Sequence, residues 1–335
     1  MQNKILRIGD PHVQVSNIKD SEKLIDFCIS TALERNVGVI EMLGDLFHTH
    51  AVVRLEVIDF WQKSIEKILN EGFDCRILVG NHDQIGSKEK EQEINALNIF
   101  KDVDQVYNDK YLGSLLLVNK PLVSYDNIGY IPYTRSEEDF FRAASDLYKE
   151  GAKGLLVAHQ TFTGAQYENG FFSEEGIDPG GAPQQQIISG HIHKSQQVGK
   201  CFYPGTPKWD TMADANDDKG IWIFTHMEDG KYVDKEFIST KNIVTPIVSY
   251  HVKEGDEIPV LDRNARNYVK LEGKTAWINS VKKKIKDVAN IKILPTDRSV
   301  KSVNEQNTTL EDYIKLFEPV DGVSREEIKE FLRSL

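Results

Sequence analysis

Apolar positions along this chain alternate between a strand period and a helix period. Residues 4–8 form a short apolar-rich run that reads as a strand. Residues 20–35 then place Leu24, Phe27, Cys28, Thr31 and Ala32 on one helical face. A buried strand is predicted over 37–43. An amphipathic helix follows over 54–70, with Leu55, Ile58, Trp61, Ile65 and Ile68 in register, and then a strand over 75–79. The pattern next predicts a helix over 91–100 and shorter strands between 104 and 132, around the turn Asp126-Asn127. A helix over 136–150 and a strand over 154–158 follow. Residues 160–185, rich in Gly, Gln and Glu and without periodicity, read as a loop over a site. Strands are predicted at 187–189, 196–198, 201–203, 221–225 and 233–237. Alternation of this kind specifies an α/β sandwich, with sheet inside and helices outside.

Beyond about residue 240 the pattern changes. Strands are predicted at 243–252 and 268–271, and a helix at 276–288 carrying Lys282, Lys283, Lys284 and Lys286. The polar stretch 299–309 resembles a linker. Two short helices close the chain near 310–317 and 324–335, the second opened by a Ser324/Glu327 capping box.

Composition adds bounds. With 335 residues, 40% hydrophobic and 28% charged, the chain has room for one large domain and one or two small ones. No run of about 18 apolar residues exists, so no membrane helix is expected. The N-terminus enters a strand without a signal-peptide pattern, and Cys28, Cys75 and Cys201 are odd in number and widely spaced. A cytoplasmic protein with reduced thiols is expected. Charge is uneven. Residues 1–240 hold 24 Lys/Arg against 37 Asp/Glu, while residues 261–305 hold 11 against 5. An acidic body excludes a protein that grips nucleic acid over its whole surface. It leaves room for a nuclease, because a metal pair brings positive charge of its own.

Chemistry concentrates in ordered motifs: Asp10-Pro11-His12, Gly44-Asp45, Gly80-Asn81-His82-Asp83, His159, and Gly190-His191-Ile192-His193. Carboxylates, imidazoles and an amide are the donors that hold a pair of divalent transition ions. Alone, an Asp-x-His is a turn and a Gly-Asp is uninformative; the ordered set is specific. Each motif follows a predicted strand, where open α/β sheets build their sites. Asp10 and His12 are placed to hold one ion, Asp45 to bridge, and Asn81, His159 and His191 to hold the second, with His193 returning to the first. His82 is placed to meet a scissile phosphate or protonate the leaving alkoxide, and Asp83 to orient a neighbouring imidazole. His48 and His50 stand close enough to touch substrate, while His226 and His251 read as structural.

This set resembles the calcineurin-like metallophosphoesterase family, whose pattern is D-x-H, G-D, G-N-H-[DE], H and G-H-x-H. Gly44-Asp45-Leu46-Phe47-His48, Tyr203-Pro204-Gly205-Thr206-Pro207-Lys208-Trp209 and Gly220-Ile221-Trp222-Ile223-Phe224 resemble the SbcD-type double-strand-break repair and recombination nucleases within it, above all their compact phage members, the nuclease subunits of phage recombination endonucleases. The resemblance covers about residues 1–240. It implies an α/β/β/α sandwich (1–240), a small α+β capping domain that contacts DNA (241–300), and a linker with a C-terminal helical pair that binds a partner (301–335). It also implies one ion on Asp10, His12, Asp45 and His193, the other on Asp45, Asn81, His159 and His191, with His82 assisting the transition state and His48 placing the DNA phosphate. Two divalent ions are implied, Mn2+ by preference, with Mg2+ the alternative. The implied activities are 3′–5′ double-strand exonuclease and single-strand endonuclease. The implied partners are DNA, an SMC-like ATPase bound through the C-terminal helices (Tyr313, Ile314, Phe317, Ile328, Phe331, Leu332, Leu335), and a second copy through the helix at 54–70. A phage-encoded protein would work in the host bacterial cytoplasm. One departure stands out: where the family often has Pro-Ser after His48, this chain has Thr49-His50-Ala51-Val52. The alternative on the same scaffold is a phosphomonoesterase or cyclic-nucleotide phosphodiesterase.

Overall fold

The computed structural model describes residues 3–50, 52–84, 95–100, 111–286, 288 and 291–297. The two predicted C-terminal helices and the linker before them lie outside the described residues, as does most of the helix expected over 91–100. Its described end, Ala96–Phe100, is a 3-10 turn.

Residues 1–249 with 261–268 form one compact unit. Its first sheet has the strand order β12-β11-β1-β2-β3-β4. These strands are β1 (Asn3–Ile8), β2 (Val39–Met42), β3 (Asp74–Leu78), β4 (Leu115–Val118), β11 (Gly220–His226) and β12 (Tyr232–Ser239). The second sheet has the order β5-β6-β7-β8-β10-β9, built from β5 (Leu122–Val123), β6 (Ile128–Ile131), β7 (Leu155–His159), β8 (Gln186–Gly190), β9 (Gln196–Val198) and β10 (Cys201–Tyr203). Strands β1 to β4 run parallel, as do β6, β7, β8 and β10. β11, β12, β5 and β9 add antiparallel edges.

Burial on both faces explains the near-continuous apolar runs of the central strands. Successive side chains point to opposite faces. Ile5, Val39, Leu78, Tyr130, Val157, Ile188 and Phe224 therefore fill the layer between the sheets. Leu6, Ile40, Ile77 and Ile223 face outward to helices α1 (Ile18–Glu34) and α2 (Leu55–Asn70). Leu156, Ala158, Ile187 and Cys201 face helix α3 (Glu137–Lys149) and the chain over 160–185. Four layers result, α/β/β/α. The α2 stripe of Val57, Phe60, Trp61, Ile65 and Ile68 is buried on its own sheet, which leaves Leu55, at 79% exposure, as its free apolar residue. Ser136 caps α3 by accepting from the Asp139 amide at 3.1 Å.

A charged lattice crosses the apolar layer. Glu41, on β2, accepts from Arg7 at 2.5 Å and from the Tyr130 hydroxyl of the opposite sheet at 2.5 Å. Arg76 donates to Tyr130 at 2.7 Å and to Asp126 at 2.9 Å. Arg7 also reaches His226 Nε2 at 2.8 Å, whose Nδ1 bonds the Gly230 carbonyl. Fully buried charges persist only when paired in this way.

The second unit comprises residues 250–260 and 269–335. Its described part holds most of β13 (Ile247–Lys253) and β14 (Arg266–Gly273), with β15 (Ile291–Asp297) and helix α4 (Thr275–Ile285). α4 buries Ile278, Val281 and Ile285 and exposes Lys283 and Lys284. Among the described residues no helix is long and apolar enough to cross a membrane. The three cysteines are buried free thiols.

Candidate metal centre

The predicted ligands stand where parallel strands of both sheets end. Asp10, Asp45 and Asn81 follow β1, β2 and β3; His159 closes β7, and His191 and His193 follow β8. Side chains converge there because sheet order sets the loop ends side by side.

The seven form one contact chain. His12 Nε2 lies 3.0 Å from His193 Nε2 and 3.6 Å from Asp45 Oδ2. Asp45 Oδ1 lies 3.4 Å from His159 Nε2. Asn81 Oδ1 stands 2.9 Å from His159 Nε2 and 2.7 Å from His191 Nδ1. Asp10 Oδ1 accepts from the His191 amide at 2.7 Å. The Leu43 carbonyl, 2.7 Å from His159 Nδ1, takes a proton there and turns Nε2 into the cluster.

Backbone geometry is unusual at these positions. His12, Asp45 and His191 have φ of 40°, 52° and 82°, left-handed values that cost about 1–2 kcal/mol each in a non-glycine residue. The motif glycines leave room for the polar groups. A Cβ on Gly80 would stand 2.3 Å from Asp45 Oδ1, and one on Gly44 2.4 Å from His159 Nδ1. One on Gly190 would stand 2.8 Å from His159 Nδ1.

Electrostatics follow from burial and mutual proximity. Burial opposes charge on Asp45, but the His159 imidazole outweighs it and holds the carboxyl well below the usual range. Burial likewise opposes charge on His159, yet Asp45 and Asp10 raise it to about 9. His191 is lowered to about 3 by burial and by the neighbouring His159, and His12 is lowered by burial. Burial raises Asp10.

The residues fit a cation pair. Ligand atoms of His12, Asp45 and His82 lie within 4.8 Å of one another, as do those of Asp45, His159 and His191, so Asp45 belongs to both trios. Asp10 Oδ2 is buried without a hydrogen-bond partner, an orphan that a cation would satisfy.

The calcineurin-like phosphoesterase family profile matches residues 3–195. The chain belongs to that family. A phosphoesterase of Invertebrate iridescent virus 6, 244L, is 28% identical over 233 residues, 68% of this chain and 79% of its own length. Exonuclease subunit 1 of Enterobacteria phage T4 is 21% identical over 348 residues, 99% of this chain and 98% of its own. Among solved structures, GAP50, the inner-membrane-complex anchor of Plasmodium, gives a TM-score of 0.45 at 13% identity over 72% of this chain and 86% of its own; no functional weight rests on that likeness. The family and these names make the chain a hydrolase of phosphoester bonds, of a family that works with divalent metals.

In this phosphoesterase, His82 donates from Nδ1 to the His48 carbonyl at 2.8 Å, which leaves Nε2 bare, and its ring lies 4.7 Å from that of His12. One of its ring nitrogens lies within 4.8 Å of ligand atoms of His12 and Asp45. His48 has its ring 5.7 Å from that of His12. His50 is exposed yet stacks on His82 at 3.8 Å. Asp83 departs from expectation. Its Oδ1 accepts from Leu46 and Phe47 and its Oδ2 from Gly80, so it pins the two ligand loops together rather than orienting an imidazole. Burial raises it to about 7. His226 and His251 sit apart, bonded to Arg7 and Glu272.

Three supports carried no readable signal. Tyr133 stacks on His191 at 6.0 Å. Buried Lys219 donates to the His193 carbonyl at 3.0 Å and pairs with Asp214 at 2.7 Å. Glu168, in the aperiodic loop, stands 3.2 Å from His193 Nδ1.

Proposed function

We propose that this phosphoesterase is a metal-dependent DNA nuclease, acting as a 3′–5′ double-strand exonuclease and single-strand endonuclease, and that it is one subunit of an ATP-driven repair or recombination complex with an SMC-like ATPase. The observation that carries the reading is the alignment with a phage protein named as an exonuclease subunit. It spans nearly all of both chains and so includes the region beyond the phosphoesterase match. The basic segment 261–305, which falls mostly in the second unit, supports phosphate contacts there, where Lys283 and Lys284 stand exposed on α4. Residues 241–300 would cap the nuclease domain and 301–335 would bind the ATPase. Leu55, exposed at the start of α2 beside Val52, supports self-association through that helix.

Asp10, His12, Asp45, Asn81, His159, His191 and His193 would hold two ions, Mn2+ foremost. When bound, these supply a hydroxide nucleophile near neutral pH and offset charge on the phosphoryl oxygens. His82 then protonates the leaving 3′-oxygen from Nε2 as the doubly protonated imidazolium, its Nδ1 proton staying bonded to the His48 carbonyl. His48 contacts the scissile phosphate.

The test is manganese-dependent release of nucleotides from end-labelled duplex DNA, beside hydrolysis of p-nitrophenyl phosphate and cyclic nucleotides, with and without the ATPase subunit. DNA cleavage raised by the ATPase is expected. Hydrolysis of monoesters or cyclic nucleotides with inert DNA would overturn the reading.

A further inference from the structure

We propose that Glu168 is a positioning residue for one metal ion. Its carboxylate fixes the tautomer and orientation of His193, so that a surface loop, and not the sheet ends alone, completes the first cation site. The inference rests on the metal pair and is independent of DNA being the substrate.

Glu168 Oε1 stands 3.2 Å from His193 Nδ1, with 22% and 25% of the two side chains exposed. In the proposed role this carboxylate takes the Nδ1 proton. The Nε2 lone pair is then bare, and it faces His12 Nε2 at 3.0 Å. Carboxylates behind ligating imidazoles set the tautomer and raise ligand basicity in this way. His159 obtains the same service from a backbone carbonyl, that of Leu43. For His193 the service comes from a side chain, so it can be removed without touching a ligand.

The loop is held firmly enough for the task. Gln166 donates its amide to Gln196 Oε1 at 2.7 Å and accepts from Gln196 Nε2 at 2.7 Å through its carbonyl. Lys194, next to His193, donates to Gln166 Oε1 at 2.8 Å. Glu168 itself lies in a tight turn closed by the Tyr167 amide bonded to the Phe171 carbonyl at 2.8 Å. From the opposite direction, Thr206 and Lys219 both donate to the His193 carbonyl at 3.0 Å. The backbone of His193 is thereby fixed, and ring rotation is the freedom that Glu168 removes.

The test is Mn2+ binding to the full chain, followed by calorimetry and by the electron paramagnetic resonance signal of free Mn2+. Wild type is expected to bind two ions. Glu168→Ala should weaken one of them about 10- to 100-fold and leave the other near its wild-type affinity, with unchanged melting in EDTA. Glu168→Gln, which keeps an acceptor but not the charge, should fall between the two. His193→Ala should weaken the same ion, and the double variant should be no worse than His193→Ala alone, because both act through one imidazole. The Mn2+ concentration for half-maximal cleavage should rise by the same factor while the rate at saturating Mn2+ is retained. Wild-type binding of both ions by Glu168→Ala would overturn the proposal. Equal weakening of both ions with lower melting in EDTA would also overturn it, as a plain structural role. A wild type that binds fewer than two ions would overturn both this proposal and the metal pair, whereas inert DNA with intact Mn2+ binding would sink the nuclease reading alone.

Discussion

His12 and His193, 181 residues apart in the chain, set their Nε2 atoms 3.0 Å from each other across the gap between the two sheets' loops. Burial holds His12 neutral, well below its ordinary value. Two facing imidazole nitrogens, one of them beside the Asp45 carboxylate, come from different sheets and would supply half of the proposed first cation site.

His82 separates two roles by its response to substitution. As a proton donor to the leaving group, His82→Ala should lower kcat about 100- to 10,000-fold while Mn2+ binding stays at two ions. Steady-state kinetics beside a metal titration decides it. Loss of an ion in the variant would move His82 into the ligand set, a place its trio with His12 and Asp45 allows.

Gly80→Ala should disable the centre from beneath. The new methyl would stand 2.3 Å from Asp45 Oδ1 and 2.4 Å from the Asp45 amide, so the bridging turn must shift. Overpacking of this kind costs about 1–3 kcal/mol, and both ions should bind more weakly because Asp45 belongs to both trios. Wild-type affinity for both in a metal titration would refute the bridge.

Metal uptake should expel a proton. Against the penalty of burial, Asp45 and Asp10 raise His159 to about 9, so the imidazole is charged at neutral pH in the metal-free protein. A ligand must be neutral, so affinity should rise with pH, by about tenfold per unit for one proton, up to about 9. Calorimetry in two buffers of different ionisation enthalpy would show the released proton as a change in apparent heat. Identical heats would contradict it.

Acid should weaken the fold through His226. Burial, then the Arg7 guanidinium, lower this imidazole from 6.5 to about 3. The unfolded chain takes up a proton as pH falls past 6.5 and the folded chain does not. Stability is therefore full above 6.5 and declines toward pH 3, by up to about 1.4 kcal/mol per unit for one proton. Urea melts at pH 7, 6 and 5 should show the decline, and His226→Gln should reduce it. A variant with the wild-type slope would assign the decline elsewhere.

Much of this was readable before the structure. The central strands announced themselves because burial on both faces demands unbroken apolar runs, and the ligand motifs followed those runs directly. What escaped lay in contacts that no local pattern encodes. Glu168 sits in an aperiodic stretch, and its loop is held by bonds that Gln166 makes with Gln196 and Lys194. Asp83 looked like an imidazole partner because it adjoins His82, yet adjacent side chains diverge, and its carboxylate turns to amides of both loops. The closeness of His82 to Asp45 likewise depends on a backbone bond, from the His82 amide to Asp45 Oδ1 at 2.8 Å.

The charged lattice between the sheets bears on chemistry it never touches. Arg76 and Glu41 tie the first sheet to Tyr130 and Asp126 of the second, and each sheet positions its own candidate ligands at its strand ends. Sideways slippage of one sheet on the other would pull Asp45 away from His159, and the buried ion pairs are the bolts against that motion. Alignment tolerance at the catalytic end is thus set by a fastening in the middle of the molecule.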